Sequence, residues 1–117
     1  MHFKRDDRIL RLATAKIEDH LSDGNYSVQA LAEDICMSRV TLYRRIQELT
    51  GMSPTDLIRD IRLKKAAQLL MQSPEATTRD IALKVGFADP KYFSRRFKEK
   101  FGVLPTEYRN VVLSQNN

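Results

Sequence analysis

Residues 38–55 read SRVTLYRRIQELTGMSPT, and residues 89–106 read DPKYFSRRFKEKFGVLPT. Aligned at an offset of 51, Arg44-Arg45, Glu48, Gly51, Pro54 and Thr55 fall on Arg95-Arg96, Glu99, Gly102, Pro105 and Thr106. The apolar positions correspond as well: Leu42 with Phe93, Ile46 with Phe97, Met52 with Val103. Upstream the offset drops by one. Leu31-Ala32 and Ile35 then fall on Ile81-Ala82 and Val85, so the second copy carries one extra residue in its turn. One short helical unit is used twice, and each copy ends in a basic helix, as suits a partner that is itself a periodic polyanion.

Outside the repeat every periodic segment also reads as helix, and no stretch alternates as a strand. The spacing predicts a first helix from about Asp7 to Ser22, with Leu10, Ala13, Ile17 and Leu21 on one face and Gly24-Asn25 as its stop. Ser27 caps a short second helix holding Leu31, Ala32 and Ile35, and Ser38 caps a third that runs to Thr50 and stops at Gly51. Ser53-Pro54 opens a long fourth helix to about Met71, apolar on more than one side, which reads as a linker packed against both copies. Residues 72–77, with Pro74, form the break between halves, and Thr77 with Asp80 makes a capping pair for the fifth helix. Asp89-Pro90 starts the sixth, Leu104-Pro105-Thr106 a short last one, and residues 111–117 read as a frayed tail. The expected architecture is all-α: a subdomain over residues 7–52, a linker helix over 53–71 and a second subdomain over 77–110.

Within each copy two helices meet at a corner too tight for a loop, Cys36-Met37 in the first and Gly86-Phe87-Ala88 in the second. Ala32 and Ala82 precede these corners, where a small side chain lets the next helix pack close. This is a helix-turn-helix. Gly86 stands four residues after Ala82, where a positive φ is commonly needed, and Cys36 holds the same place in the first copy. A left-handed non-glycine residue costs about 1 kcal/mol, so the first turn is where a departure from regular geometry is expected.

Composition allows this reading without demanding it. Lys and Arg outnumber Asp and Glu by 20 to 15, and the isoelectric point is near 9.6, which favours an anionic partner. Cys36 is the only cysteine, which excludes an intrachain disulfide and a cysteine-based zinc site and fits a reducing cytoplasm. No apolar run approaches the ~18 residues of a membrane span, and the start, Met1-His2-Phe3-Lys4-Arg5-Asp6-Asp7, lacks the apolar core of a signal peptide. A cytoplasmic protein without membrane contact is expected.

The third and sixth helices divide into two faces. Leu42, Ile46 and Leu49 line one side of the third, with Arg39, Val40, Tyr43, Arg44 and Gln47 opposite. Phe93, Phe97 and Phe101 line the sixth, with Lys91, Ser94, Arg95 and Lys98 opposite. A helix with a long, basic, hydrogen-bonding outer face can enter the major groove of double-stranded DNA. Arg44 and Arg95, at equivalent positions, can each bond guanine O6 and N7, while Arg45 and Arg96 point sideways toward phosphates.

The sequence resembles the DNA-binding domain of the AraC/XylS family of transcription regulators. The resemblance runs from Leu31-Ala32 through Gly51-Met52-Ser53-Pro54, then Ile81-Ala82, Gly86-Phe87, Tyr92-Phe93, Phe97-Lys98 and Gly102-Val103-Leu104-Pro105. It implies seven helices, two helix-turn-helix subdomains bridged by one long helix, and recognition helices in two successive major-groove segments about 34 Å apart. Carried over by position, the base-reading residues are Val40, Tyr43, Arg44, Lys91, Ser94 and Arg95. Ser38, Arg39, Arg45, Arg96, Lys98 and Thr106 are the phosphate contacts. Activation through RNA polymerase is implied too. Residues 58–70, IRDIRLKKAAQLL, look most like the output domain of hybrid two-component regulators of polysaccharide use, so the chain is either a domain of such a protein or a small standalone regulator. The isolated domain is expected to be a monomer, and a full-length parent could dimerise.

Other readings are weaker. Cys36, beside an apolar helix end and with no histidine near it, reads as buried and inert. His2 and His20 lack a second ligand at metal spacing, Asp6-Asp7 and Glu18-Asp19 sit where helix dipole and solvation explain them, and no glycine-rich phosphate loop exists. No cofactor, no metal and no catalytic group is expected. The competing class is an all-helical protein adaptor with a basic surface, which accounts for an exposed Tyr43 but not for paired basic helices at a fixed repeat. An RNA-binding patch is less favoured, because sequence reading of RNA relies on stacked aromatics.

Overall fold

A computed structural model of the chain describes residues 4–115, and seven α-helices account for most of them: α1 (Lys4–Asp19), α2 (Val28–Asp34), α3 (Arg39–Thr50), α4 (Pro54–Gln72), α5 (Thr78–Lys84), α6 (Pro90–Phe101) and α7 (Pro105–Gln115). The all-α expectation holds. Three ends differ from it, the first being the start of α1, at Lys4 rather than Asp7. α1 closes at Asp19 rather than Ser22, because His20 and Leu21 turn back onto the Ile17 and Glu18 carbonyls while the His20 Nδ1–H donates to Lys16 O at 2.9 Å. The tail expected from Val111 is instead the last part of α7: with no glycine or proline to stop it, and Val111 and Val112 half-buried, the helix continues to Gln115. The expectations for His2 and for the Asp6 and Asp7 side chains lie outside the described residues.

The chain packs as two compact units. One holds the chain to Leu21 and Asn25–Ile61; the other holds Ser22–Gly24 and the chain from Arg62 onward. α4 is therefore divided between them rather than forming a segment of its own.

In the first unit Ala13, Ile17, Leu31, Leu42 and Ile46 are fully excluded from solvent or nearly so, and Leu57, Ile58 and Ile61 complete the cluster. Tyr26 joins this core by its ring, stacked on His20 at 4.2 Å, while its hydroxyl donates to Asp34 Oδ2 at 2.8 Å. Burial, and then the Asp34 carboxylate, push the Tyr26 phenol above its ordinary range.

In the second unit the core is aromatic. Phe93 and Phe97 have no exposed surface, and Phe97 touches Phe93, Phe101 and Tyr108 at ring separations of 5.8, 4.5 and 5.4 Å. Phe87 adds a further ring against Phe93 at 5.2 Å. Among the described residues Arg62 is the single charged side chain that is buried, 6% exposed, and it donates to Val85 O at 2.8 Å and to Asp23 O at 2.9 Å. Desolvation lowers its pKa and the Asp23 carboxylate works against that. The same close packing explains Gly24, where a Cβ would stand 2.9 Å from the Gly86 carbonyl oxygen.

The two corners have one geometry. Met37 N–H donates to Ala32 O at 2.9 Å and Phe87 N–H to Ala82 O at 2.8 Å; Cys36 and Gly86 bond back three residues in the same way. Gly86 sits at φ +90° and Cys36 at +59°, the one non-glycine left-handed residue described. The first turn does not deviate, and the extra residue of the second copy falls after the turn, at Ala88. Cys36 is also exposed, not buried: its left-handed backbone directs the side chain outward while Ile35 takes the core position. Cys36→Gly is expected to raise unfolding stability by up to about 1 kcal/mol, relief of left-handed strain exceeding the added freedom of the unfolded chain. A thermal melt reads this, and a lowered midpoint would mean that the cysteine makes contacts the turn needs.

Candidate nucleic-acid interface

α3 and α6 each begin at a side-chain cap. Ser38 Oγ accepts from Thr41 N–H at 3.1 Å, and Asp89 Oδ1 accepts from Lys91 N–H at 3.0 Å with Pro90 in the first turn. Each ends at a left-handed glycine, Gly51 or Gly102. α5, which presents α6, is held by a reciprocal box: Thr77 Oγ1 accepts from Asp80 N–H, and Asp80 Oδ2 accepts from Thr77 N–H. Those bonds hold the Asp80 carboxyl below the usual carboxylate range.

The helices turn their inner stripes to the core and leave the rest outside. On α3, Leu42 and Ile46 are buried and Leu49 half-buried. Val40 is 77% exposed and Tyr43 51%, an unusual display for large apolar side chains. Arg39, Arg44 and Gln47 are exposed beside them, and the Arg44 guanidinium has no partner among the described residues. On α6, Lys91, Arg95 and Lys98 are exposed and Ser94 half-buried. Ser38 and Thr106 are exposed at the starts of α3 and α7.

The two sideways arginines are already engaged. Arg96 Nη1 donates to Glu99 Oε1 at 2.9 Å, and Arg45 Nε lies 4.0 Å from Glu48 Oε1. Glu99 first, then Tyr92, hold the Arg96 pKa above its ordinary value. Tyr92 lies under both arginines of its helix, 5.4 Å from the Arg95 guanidinium and 5.6 Å from that of Arg96. Glu48, Glu99 and Tyr92 were absent from the candidate set. For the two glutamates the signal is matched i,i+3 acid–base spacing in both copies, which on a helix brings the pair together; Tyr92, aligned with Thr41, has no such match. Among the described residues no group of three histidine, cysteine or carboxylate side chains could hold a metal ion.

A family described as "Helix-turn-helix domain" matches residues 31–110. The chain belongs to the AraC-type helix-turn-helix family. It is a DNA-binding domain of transcription regulators. This AraC-type domain is 37% identical over 110 residues to histidine kinase P4 of Formosa agariphila, a match covering 94% of the chain and 8% of that protein. It is 38% identical over 100 residues to the HTH-type transcriptional activator RhaS of Escherichia coli, covering 86% of the chain and 35% of that protein. The chain thus spans a small part of the curated relatives it matches. The crystal structure of the DNA-binding domain of AdpA, a global transcriptional factor in complex with a target DNA, superimposes with a TM-score of 0.75 at 27% identity, covering 92% of this chain and 94% of that one. Among its described residues, no helix of the AraC-type domain is long and apolar enough to cross a membrane.

Proposed function

We propose that this domain reads two successive major-groove segments of a DNA operator, one with α3 and one with α6. The observation that carries the proposal is the outward face of the two helices. Val40, Tyr43 and the unpartnered Arg44 on α3, and Lys91 and Arg95 on α6, stand exposed to water, Arg95 resting over the Tyr92 ring with no hydrogen-bond acceptor among the described residues. Ser94 completes the α6 set. Val40 suits a thymine methyl, and the arginines suit guanine. Ser38, Arg39, Arg45, Arg96, Lys98 and Thr106 take phosphates and set register.

The relatives support two finer points. RhaS is a transcriptional activator, and activation through contact with RNA polymerase is the reading for this chain. P4 is named a histidine kinase, and 8% of it is similar to this domain; in this reading the domain serves as the DNA-binding output of a cytoplasmic two-component signalling protein. The isolated domain acts as a monomer, its two readers supplying the two-site contact that other regulators obtain by pairing.

Selection from randomised duplexes near physiological salt tests the proposal, with two half-sites as the expected outcome. One enriched half-site would confine reading to a single helix, and salt-sensitive binding without enrichment would return the adaptor reading. A mutational contrast follows. Arg95→Ala should relax preference at one base pair by about 1–3 kcal/mol. Arg96→Ala should weaken all duplexes alike and only modestly, since Glu99 already occupies its guanidinium. Binding profiles on single-substitution operators separate the two, and identical profiles would refute the division of roles.

A further inference from the structure

A recess of about 440 Å³ opens in the second unit between the end of α4, the loop that follows it and the starts of α5 and α7. Leu70 and Pro105 supply apolar wall, and the polar lining is Ser73, Thr77, Thr78, Thr106, Asn110 and Arg109. No carboxylate lines it. Glu75, between Pro74 and Ala76, is not among the lining residues, and Glu107, the acid nearest Arg109 in sequence, accepts at Oε1 from Leu104 N–H at 3.1 Å.

Arg109 stands apart from Arg96: the Nε of each lies out of reach of solvent without an acceptor, but Arg96 keeps Glu99 through Nη1. Arg109 is half-buried and forms no hydrogen bond or ion pair with any described residue. The Nε itself is closed to any ligand, but Arg109 lines the recess, and a charge partly withdrawn from water with no anion beside it is retained at least cost where an external anion meets its remaining N–H groups. The neighbouring groups fit one class of acceptor. Threonine hydroxyls and an amide N–H₂ around a guanidinium bind tetrahedral oxyanions, for which arginine offers two parallel donors. The volume leaves space beyond one oxyanion for the flanking sugars of a phosphodiester.

We propose that this recess holds a phosphate of the DNA backbone beside the second reader, with Arg109 as its charged ligand and Thr78 and Thr106 as hydroxyl donors. The assignment rests on the DNA-reading function proposed above and extends its phosphate contacts to Arg109. Arg109 contributes affinity and no sequence preference.

Salt titrations of the selected operator and of a scrambled duplex, with wild type and Arg109→Gln, test it. The variant should lower the slope of log affinity against log salt by about 0.9, the loss of one neutralised phosphate, and weaken both duplexes by a similar factor of about ten. Arg109→Lys should recover part of that affinity. In the free protein, inorganic phosphate should shift the Arg109 Nε resonance in a saturable way. An unchanged slope overturns the proposal, whether the melting temperature of Arg109→Gln stays level or falls; a fall would assign Arg109 to internal packing. If the wild type binds no duplex at all, the DNA reading has failed and the phosphate titration decides: a saturable shift keeps a free-oxyanion site, and no shift removes it.

Discussion

Phe97→Ala is expected to cost about 3–5 kcal/mol. Phe97 is wholly excluded from solvent and touches Phe93, Phe101 and Tyr108, so truncation leaves a cavity walled by three rings. These rings belong to α6 and α7, and they cannot slide together without dragging their backbones. For a domain with a total stability of about 5–15 kcal/mol, such a loss removes much of what holds α6 in place. Urea unfolding with hydrogen exchange should show early exposure of the α6 and α7 amides, while the first-unit amides of Leu42 and Ile46 keep their protection. Phe101→Ala, at a half-buried position, should cost visibly less. Equal costs at the two positions would mean that the core collapses around the missing ring and that the aromatic stack is interchangeable filling.

The second large effect is expected at Arg62. Arg62→Met keeps the length of the side chain and removes its donors. The Val85 carbonyl, on a residue with no exposed surface, then loses its partner, whereas Asp23 is exposed and its carbonyl can turn to water. One orphaned buried acceptor costs about 1–3 kcal/mol. Release of the guanidinium from its desolvated site offsets part of the loss, so a net destabilisation of about 2 kcal/mol is expected. Arg62→Lys, with one donor head, should recover a fraction. The local signature is faster hydrogen exchange at Gly86 and Phe87, whose amides close the helix-turn-helix corner. Unchanged stability would show that water replaces the guanidinium at Val85.

Both effects depend on features of different legibility. The aromatic stripe at residues 93, 97 and 101 could be read directly, because helical spacing alone places those side chains on one face. The role of Arg62 could not. Within IRDIRLKKAAQLL it is one of four basic residues, and nothing in that run separates the buried one from the three outside. The candidate interface divides the same way. Exposure of Val40, Tyr43, Arg44, Lys91 and Arg95 followed from which side of each helix is apolar. Engagement of Arg45 and Arg96 by Glu48 and Glu99 is legible as i,i+3 spacing in both copies. For Cys36 the backbone strain is legible from its alignment with Gly86, but the side chain's exposure is not, because in a left-handed corner the apolar neighbours do not predict where that side chain points.

By itself the sequence determined the all-helical class, the duplication, the caps at Ser38, Thr77 and Asp89, the glycine stops and the two-faced helices, because each is set by interactions within about one helical turn. The tertiary structure alone decided the matters that hang on distant partners. Arg62 reaches carbonyls 23 and 39 residues away, Gly24 meets the Gly86 carbonyl, and Arg109 is left without an acceptor in a recess built from three helices and a loop. Burial converts a common surface charge into a structural donor or an open binding group, and burial is a property of segments brought together by the fold, which no local spacing records.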